Sequence, residues 1–405
     1  MLRDLFGFDS FRQGQSQAVE AVLEGRDCLA ILPTGAGKTA IFQVAARALG
    51  GTTVVVSPLV SLMEDQVARA RSRGLRTLRV GGAQDADSRA RQLSDVRAQP
   101  PPELVYAAPE GLTARWGAVL AGLDVRLLAV DEAHCIDRWG REFRPDYLAL
   151  GEVRKALGSP VCVAVTASAS PATARSVCDV LGMRDLVTVR TSCVRDNLVL
   201  RAKVVRDQRE ASSLAASYVC ASGGCGIVYT RSRDGAEATA ALCRRRGVDA
   251  EAYHARLERE ERTLVQERFL SGHTRVVVAT VAFGMGIDKP DVRWVVHRGL
   301  PESLDAYYQE VGRAGRDGMP ADCLLVWSRD DLRAHRAMRA SADDPRRRDE
   351  ALLESDAMFA LASGARCRHA EVAAWFGEAV ERCGDRCDVC APDVARRTSG
   401  LFPAR

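Results

Sequence analysis

The chain has 405 residues, of which 47% are hydrophobic, enough for two domains with sizeable cores and a small third one. No apolar run approaches the roughly eighteen residues of a membrane helix, and the start, MLRDLFGFDSFRQ, lacks the apolar stretch of a secretion signal. We therefore expect a soluble protein of the cytoplasm, or of the nucleoid in a bacterium, with no membrane partner. The net charge of +4 is compatible with nucleic-acid binding but is weak support for it.

Short β-branched runs alternate with polar or helical stretches along the chain. Strands are predicted at 27–33, 52–58, 103–109, 126–132 and 161–167, and then at 225–230, 275–280, 293–298 and 322–328. Continuous apolar strands that alternate with helices are typical of a parallel sheet covered by helices on both faces. The sequence thus predicts an α/β fold with two domains, at 1–190 and 191–340, followed by a helical, cysteine-bearing subdomain at 341–392 and a tail at 393–405.

A glycine-rich segment, PTGAGKT (33–39), joins the first predicted strand to a predicted helix. This context is typical of a loop whose backbone N–H groups wrap the phosphates of ATP at a helix N-terminus. Lys38 would reach the β and γ phosphates and the Thr39 hydroxyl would bind Mg²⁺. The alternative is a plain glycine turn, but Lys38 is one of only four lysines among the 57 basic residues. The residues predicted to hold the nucleotide here are Thr34, Gly35, Gly37, Lys38 and Thr39.

Two adjacent carboxylates, Asp131 and Glu132, end the strand predicted at 126–132. At that place they would point into the crevice beyond the carboxyl edge of a parallel sheet. Asp131 is predicted to hold Mg²⁺, and Glu132 to orient and deprotonate the attacking water. An Asp-Glu pair is often only a solvated surface pair, but its place on a buried strand after a phosphate loop favours catalysis.

A pair of arginines, Arg313 and Arg316, lies in the segment YYQEVGRAGRDG (307–318). Their spacing of three predicts that both lie on one face of a helix. Two such cations would suit the charge that develops during phosphoryl transfer, where an arginine can contribute roughly 10³–10⁵ in rate. The alternative is a basic surface helix, since arginine is abundant in this chain.

Four cysteines lie close together near the end of the chain, spaced C-x15-C-x3-C-x2-C. The other nine are scattered singly, many within apolar runs, and are expected to be small core residues. A local cluster in a cytosolic protein is more typical of a metal site than of disulfides. The alternative is four reduced thiols on a loop. The clustered residues are Cys367, Cys383, Cys387 and Cys390.

These segments together closely resemble RecQ helicases, a DExH branch of superfamily-two motor proteins. The resemblance runs from about residue 2 to residue 390. The segments that carry it, in chain order, are LFGFDSFRQGQ, PTGAGKT, VVVSPLVSLMEDQV, YAAPE, DEAH, WGREFRP, TASA, GIVYTRS, ATVAFGMGIDKPDVR and QEVGRAGRDG. The resemblance implies two RecA-like domains in tandem plus a helical zinc-binding subdomain, in which the four cysteines would bind a structural Zn²⁺.

The resemblance also implies roles for individual residues. Phe8 would stack on adenine, Arg12 would lie beside the nucleotide, and Gln15 would read the adenine edge. Trp139 and Phe143, four residues apart, would belong to an aromatic-rich loop that senses DNA, although plain core packing is the alternative. The residues expected along a single-stranded DNA path, where hydroxyls and arginines contact phosphates and aromatic rings contact bases, are Ser57, Pro58, Gln66, Trp139, Phe143, Arg144 and Thr280.

Some positions depart from the RecQ pattern. Asp137 and Arg141 stand where the family usually has a small polar residue and a histidine, in the segment that the resemblance implies senses DNA. Ser168 replaces a usual threonine and keeps the hydroxyl. The cysteine cluster has one extra residue between Cys383 and Cys387, a spacing still within the known range for zinc.

The resemblance implies an ATP-dependent DNA helicase that moves 3′ to 5′ on single-stranded DNA and unwinds duplex or forked DNA in recombination and repair, as a monomer. After Cys390 only fifteen residues follow, too few for the winged-helix or small helical (HRDC) domains of many RecQ proteins, so a short form is expected. One alternative is therefore a DNA translocase that unwinds weakly. Another is a nucleotide-gated clamp that binds nucleic acid without turnover.

Overall fold

The structure, a computed structural model, describes residues 1–58, 60–82, 86–140, 144–280, 283, 288–340 and 345–391. By its internal contacts the chain divides into two compact units, Met1–Ser192 (unit 1) and Cys193–Arg405 (unit 2). Unit 2 contains the second half of the predicted strands together with the cysteine-bearing segment. The three-domain division predicted from the sequence, with its boundaries at 190 and 340, stays a prediction.

Unit 1 is built on one parallel sheet. Its strands are β1 Cys28–Ile31, β2 Thr52–Val56, β3 Thr77–Arg79, β4 Leu104–Ala107, β5 Val125–Asp131, β6 Val161–Thr166 and β7 Val187–Arg190. They form a seven-stranded sheet in the order β3-β4-β2-β5-β6-β1-β7, in which every pairing is parallel.

The helices of unit 1 cover both faces of this sheet. They are α1 Leu2–Phe6, α2 Gln15–Leu23, α3 Thr39–Leu49, α4 Val60–Ser72, α5 Ala86–Val96, α6 Pro109–Gly111, α7 Gly117–Leu120, α8 Cys135–Gly140, α9 Leu150–Ala156 and α10 Pro171–Leu181. A π-helical turn spans Leu112–Trp116 and a 3₁₀ turn spans Pro145–Tyr147. Because side chains alternate along a strand, β1 sends Cys28 and Ala30 into one core and Leu29 and Ile31 into the other.

Unit 2 repeats this design with its own parallel sheet. Its strands are β8 Leu198–Val205, β9 Cys225–Thr230, β10 Ala250–Tyr253, β11 Val276–Ala279, β12 Val292–Arg298 and β13 Ala321–Ser328. The order is β10-β11-β9-β12-β13-β8. Its helices are α11 Gln208–Ala221, α12 Arg233–Arg245, α13 Arg259–Leu270, α14 Leu304–Val311, α15 Arg329–Ala340, α16 Pro345–Ser363 and α17 Arg368–Trp375.

The cysteine-bearing segment shares a core with one face of the second sheet. Met358 and Leu361 of α16 and Phe376 pack in the same hydrophobic cluster as Ile227 and Val295 of the central strands. The opposite face of the sheet is covered by α11 and α12 through a separate cluster. The segment is therefore an integral part of unit 2 in the structure.

The α/β fold class predicted from the sequence is confirmed, and each predicted strand is present. Strands β3, β7, β8 and β10 were not predicted, and they are the outermost strands of the two sheets. Among the described residues, no helix is both long and apolar enough to cross a membrane.

Candidate nucleotide site and cysteine cluster

The phosphate loop predicted at 33–39 joins β1 to α3, which begins at Thr39. Gly35 and Gly37 have φ angles of 87° and 73°, a left-handed conformation that glycine adopts without steric cost. Lys38, at the N-terminal end of α3, donates from Nζ to the Leu32 carbonyl at 3.3 Å. The local geometry is thus that of a glycine-rich turn which presents a lysine and a hydroxyl at a helix N-terminus, the arrangement that binds phosphate.

Two of the residues predicted around the base, Gln15 and Arg12, contact this loop directly. Gln15 donates from Nε2 to the carbonyls of Ala36 at 2.8 Å and Gly37 at 2.9 Å, and its Oε1 accepts from the Arg12 backbone N–H at 2.9 Å. Arg12 donates to the Gly35 carbonyl and lies 6.0 Å from the ring centroid of the exposed Phe8. Gln15 and Arg12 therefore hold the loop backbone, and the predicted roles of Gln15 at the adenine edge and of Arg12 beside the nucleotide stay predictions.

The acid pair lies where β5 ends. Asp131 is buried, with 6% of its surface exposed, and its Oδ1 accepts the backbone N–H of Glu132 at 3.0 Å. Glu132 has a φ of 49°, rare for a residue with a side chain and a conformation that costs energy. Such strained positions are concentrated at functional sites, where the surrounding structure over-determines them.

Gln66, predicted on the DNA path, is brought to the acid pair. Its Nε2, on α4, donates to Asp131 Oδ2 at 2.8 Å. Burial, and next the nearby Glu132 carboxylate, raise the pKa of Asp131, whereas the Gln66 hydrogen bond and Lys38 act in the opposite direction. The DNA role of Gln66 stays a prediction. Its hydrogen bond connects α4 directly to Asp131.

His134 is a site residue to which the sequence analysis gave no role. It is buried, and its Nδ1 lies 3.0 Å from Thr166 Oγ1 and 3.4 Å from Glu132 Oε2. Burial lowers the pKa of His134 to about 4, so the ring is neutral at pH 7 and can donate one hydrogen bond from Nδ1. Thr166 in turn donates to the Ser168 carbonyl at 2.9 Å. The quoted segments DEAH and TASA therefore meet, which their separate positions in the sequence did not reveal.

Several residues of the predicted DNA path lie together in unit 1. Arg144 donates to the Pro58 carbonyl, and its guanidinium carbon lies 5.6 Å from the ring centroid of Trp139. Trp139 also makes an edge contact with Tyr147, with 6.4 Å between centroids, and packs against a core cluster of unit 1. This favours the core-packing interpretation for its ring. The buried Ser57 hydroxyl has no hydrogen-bond partner among the described residues.

Other predicted residues can be placed only partly. Thr280 lies at the end of β11 and its backbone N–H donates to the Tyr253 carbonyl at 3.2 Å. Phe143 and Arg141 lie outside the described residues. Asp137 accepts a hydrogen bond from Thr173 at 2.9 Å, which gives this departure from the family pattern a structural partner. The DNA-binding assignments as a group stay predictions.

The arginine pair is not on a helix, and that prediction was wrong. Helix α14 ends at Val311, and residues 312–317 form turns. Gly315 has a φ of 56°, a left-handed conformation that a continuing helix cannot use. Arg316 is mostly buried and its Nη1 donates to Asp288 at 2.9 Å. Burial, and next the nearby charge of Arg313, lower the pKa of Arg316 to about 10.

The four clustered cysteines come together in the structure. Their sulfur atoms all lie within 4.8 Å of one another, and those of Cys367 and Cys387 are 3.9 Å apart. A tetrahedral site with Zn–S bonds of ~2.3 Å needs sulfur separations of about 3.8 Å. Cys367, Cys383 and Cys387 are buried and Cys390 is partly buried. This donor set fits a closed, structural zinc site.

Family models match the chain in three consecutive blocks. They are "DEAD/DEAH box helicase" at 12–177, "Helicase conserved C-terminal domain" at 212–318 and "RecQ zinc-binding" at 329–391. The ATP-dependent DNA helicase RecQ of Bacillus subtilis is 36% identical over 98% of this chain and 68% of its own length. The chain belongs to the RecQ family. All four clustered cysteines fall within the block that matches the RecQ zinc-binding model.

Further comparisons agree with this assignment. The ATP-dependent DNA helicase Q5 of Rattus norvegicus is 38% identical over 98% of this chain, which spans only 44% of that relative. The solved structure of S. cerevisiae Dbp5 bound to RNA and ADP BeF3 covers 99% of this chain with a TM-score of 0.66 and 15% identity. At that identity the likeness shows the fold alone, which is two RecA-like domains in tandem.

Proposed function

We propose that this RecQ-family chain is an ATP-dependent DNA helicase that translocates 3′ to 5′ on single-stranded DNA and separates duplex or forked DNA in recombination and repair. The observation that carries the proposal is the chemistry assembled in unit 1. A glycine-rich loop with Lys38 follows one strand of the sheet, and the buried Asp131 with the strained Glu132 ends another. The names of the relatives, ATP-dependent DNA helicases, support the same activity.

In this proposal the loop at 33–39 holds the phosphates of ATP through its backbone N–H groups and the N-terminus of α3. Lys38 neutralises charge on the β and γ phosphates. Thr39 and Asp131 offer oxygen ligands of the kind Mg²⁺ prefers, and a bound cation would also stabilise the ionised form of the buried Asp131. When bound, Mg²⁺ neutralises developing charge on the transferring phosphate.

Glu132 is the proposed general base. Its carboxylate lies 3.4 Å from Nδ1 of His134. Because the His134 ring is neutral at pH 7, it can orient the Glu132 carboxylate by a hydrogen bond without neutralising the negative charge of that carboxylate. Glu132 would hold the attacking water and accept its proton, while Arg313 and Arg316 stabilise charge on the phosphoryl group. The Gln66–Asp131 hydrogen bond then offers a physical route by which occupancy of the DNA path can alter the ATP site.

Replacing Glu132 with glutamine is expected to abolish hydrolysis and to leave ATP binding intact, because the amide keeps the shape but cannot accept the proton. General-base loss costs roughly 10²–10⁴ in rate. DNA-stimulated phosphate release and binding of a fluorescent ATP analogue measure the two effects separately. Glu152→Gln is the matched control, since Glu152 is exposed and pairs only with Lys155 among the described contacts. Turnover that survives in Glu132→Gln would instead assign the base to another residue.

Unwinding of forked DNA with either a 3′ or a 5′ single-stranded tail tests the helicase activity and its direction together. We expect strand separation that requires ATP and a 3′ tail, and none in Glu132→Gln. Hydrolysis without separation at any protein concentration would favour a translocase. ATP-dependent binding without hydrolysis in the unsubstituted chain would indicate a nucleotide-gated clamp.

A further inference from the structure

The segment 193–197 lies at the start of unit 2 and runs beside the turn that carries the arginine pair. Arg195 donates from Nη1 to the Gly312 carbonyl at 3.2 Å and the Ala314 carbonyl at 2.9 Å, and from Nη2 to the Gly315 carbonyl. Asn197 donates from Nδ2 to the Gly315 carbonyl at 2.8 Å, and also to a carbonyl further along. Two side chains thus hold the backbone of one short turn.

This turn needs such partners. Helix α14 ends at Val311, so the carbonyls that follow have no helical N–H groups to accept from, although the Gly315 carbonyl also accepts the Gly318 backbone N–H at 3.0 Å. The planar fork of an arginine can reach several carbonyls at once, which the single ammonium of a lysine cannot do in the same geometry. The fit is also close: a Cβ on Gly315 would lie 2.7 Å from the Met319 carbonyl oxygen, and closer still to Nδ2 of Asn197.

Arg195 is placed to act through this turn rather than on a substrate. Both of its terminal nitrogens are engaged by carbonyls. Burial lowers the pKa of Arg195, and the charges of Arg313 and Arg195 both contribute to the lowered pKa of Arg316. Without fixed hydrogen bonds, repulsion among these like charges would push them apart.

The same segment is also held by the zinc-binding region. The backbone N–H of Cys193 donates to the Glu378 carboxylate at 2.9 Å, and Asp196 forms an ion pair with Arg386, between two of the cysteines. The segment therefore joins the zinc-binding region to the arginine-bearing turn through contacts within unit 2.

We propose that Arg195, assisted by Asn197, is a positioning residue that fixes the turn 312–316 and thereby sets the directions of Arg313 and Arg316 for phosphoryl transfer. This inference rests on the proposed function, because it assumes that the arginine pair acts on the phosphates. Arg195 itself makes no contact with nucleotide in this proposal. It supplies rigidity at the point where a small misplacement of a catalytic group lowers the rate steeply.

The test compares Arg195→Ala, Arg195→Lys and Arg313→Ala with the control Arg246→Ala. Arg246 lies in the same unit and donates to the carbonyl and hydroxyl groups of two serines on α11, away from the turn. We expect Arg195→Ala to lower kcat for ATP hydrolysis about 10- to 100-fold with little change in KM. Arg195→Lys should recover little of it, and Arg246→Ala should behave as the unsubstituted chain.

Two further measurements separate positioning from general stability. Hydrogen exchange at residues 308–320, without nucleotide, should be faster in Arg195→Ala than in Arg246→Ala. Adding Arg195→Ala to Arg313→Ala should lower kcat by a smaller factor than Arg195→Ala does alone, because one of the two positioned arginines is already gone. If Arg195→Ala folds poorly, Asn197→Ala removes two hydrogen bonds without removing a charge, and it must then show the same selective loss of kcat.

The outcomes distinguish the inference from the proposed function. The positioning role alone is overturned if kcat is normal in Arg195→Ala while Arg313→Ala lowers kcat. The same holds for a normal kcat in Asn197→Ala, where that variant is used instead. Full rescue by Arg195→Lys, or an additive loss in the double variant, overturns it as well. Normal hydrolysis in Arg313→Ala contradicts the catalytic role of the pair, and with it any catalytic purpose for the contacts of Arg195.

Discussion

Replacing Lys38 with alanine is expected to lower DNA-stimulated ATP hydrolysis by about 10²–10³-fold, the range for loss of one preorganised cation or donor at a site of developing charge. Lys38 stands at the N-terminal end of α3, at the end of the loop in which Gly35 and Gly37 take left-handed conformations. In the structure its Nζ makes a 3.3 Å hydrogen bond to the Leu32 carbonyl, at the base of this loop. The side chain is therefore held beside the phosphates that we propose the loop binds.

The expected loss is one of chemistry more than of folding. Lys38 is partly exposed, and after truncation to alanine the buried Asp131 keeps its hydrogen bonds from Gln66 and from the Glu132 backbone. Steady-state hydrolysis across a range of ATP concentrations measures the effect, and thermal unfolding checks that the fold is retained. Lys155→Ala is the matched control, because Lys155 is exposed and pairs with Glu152 on the surface of unit 1. Full hydrolysis in Lys38→Ala would show that 33–39 is only a glycine turn.

The strands that the sequence predicted and those it did not differ in their place in the sheets. Interior strands such as β2 and β6 are covered by helices on both faces and read as buried runs rich in β-branched residues, TTVVV and VCVAVT. The outermost strands have a weaker pattern: β8 reads LVLRAKVV with exposed positions, and β10 is only AEAY. An edge strand has one neighbour and a more exposed position, so apolar periodicity alone does not reveal it.

The same limit applies to the site. Lys38, Asp131 and Glu132 were predicted because motif and strand context placed each at a sheet edge or a helix start. The contacts of Gln15 with the loop and of Gln66 with Asp131 join segments distant in sequence, and no local pattern encodes them. The helix expected to carry the arginine pair failed for a local reason, since two glycines follow Val311 within four residues and one adopts a left-handed φ.

Replacing Cys387 with serine is expected to remove zinc and to destabilise unit 2 more than any surface substitution. Cys387 is buried, and the loop that carries it is joined to the edge strand β8: the Leu200 N–H donates to the Arg386 carbonyl at 2.9 Å, and the Ala202 N–H donates to Asp388 at 3.1 Å. Asp388 also pairs with the buried Arg368. The cluster therefore covers the open edge of the second sheet.

The zinc-binding region also supports the helix that leads to the arginine pair. Trp375 donates from its ring N–H to Asp305 on α14 at 2.8 Å, and Phe376 packs on Tyr308 of the same helix with 4.9 Å between ring centroids. Loss of the metal should therefore reduce ATP hydrolysis even though the nucleotide loop lies in unit 1. We therefore expect the cysteine cluster to affect hydrolysis indirectly, through the position and stability of α14.

The expected loss of stability in Cys387→Ser is large because structural zinc contributes directly to the folding free energy. Structural zinc contributes roughly 10–16 kcal/mol in zinc-finger peptides, whereas a whole domain is stable by only about 5–15 kcal/mol. Losing even part of that contribution is enough to unfold the region. Elemental analysis should find about one zinc per unsubstituted chain and little in Cys387→Ser, with Cys220→Ser, an exposed cysteine outside the cluster, as control.

Hydrogen exchange locates the effect within unit 2. The amides of Leu200 and Ala202, which donate to the cysteine loop, should lose protection from exchange first in Cys387→Ser or on chelation. The amides of β1 in unit 1 should keep their protection. Unchanged protection at these two amides after complete zinc removal would mean that packing of α16 and α17 holds the edge without metal. Absence of zinc from freshly purified, active protein would contradict the metal site itself.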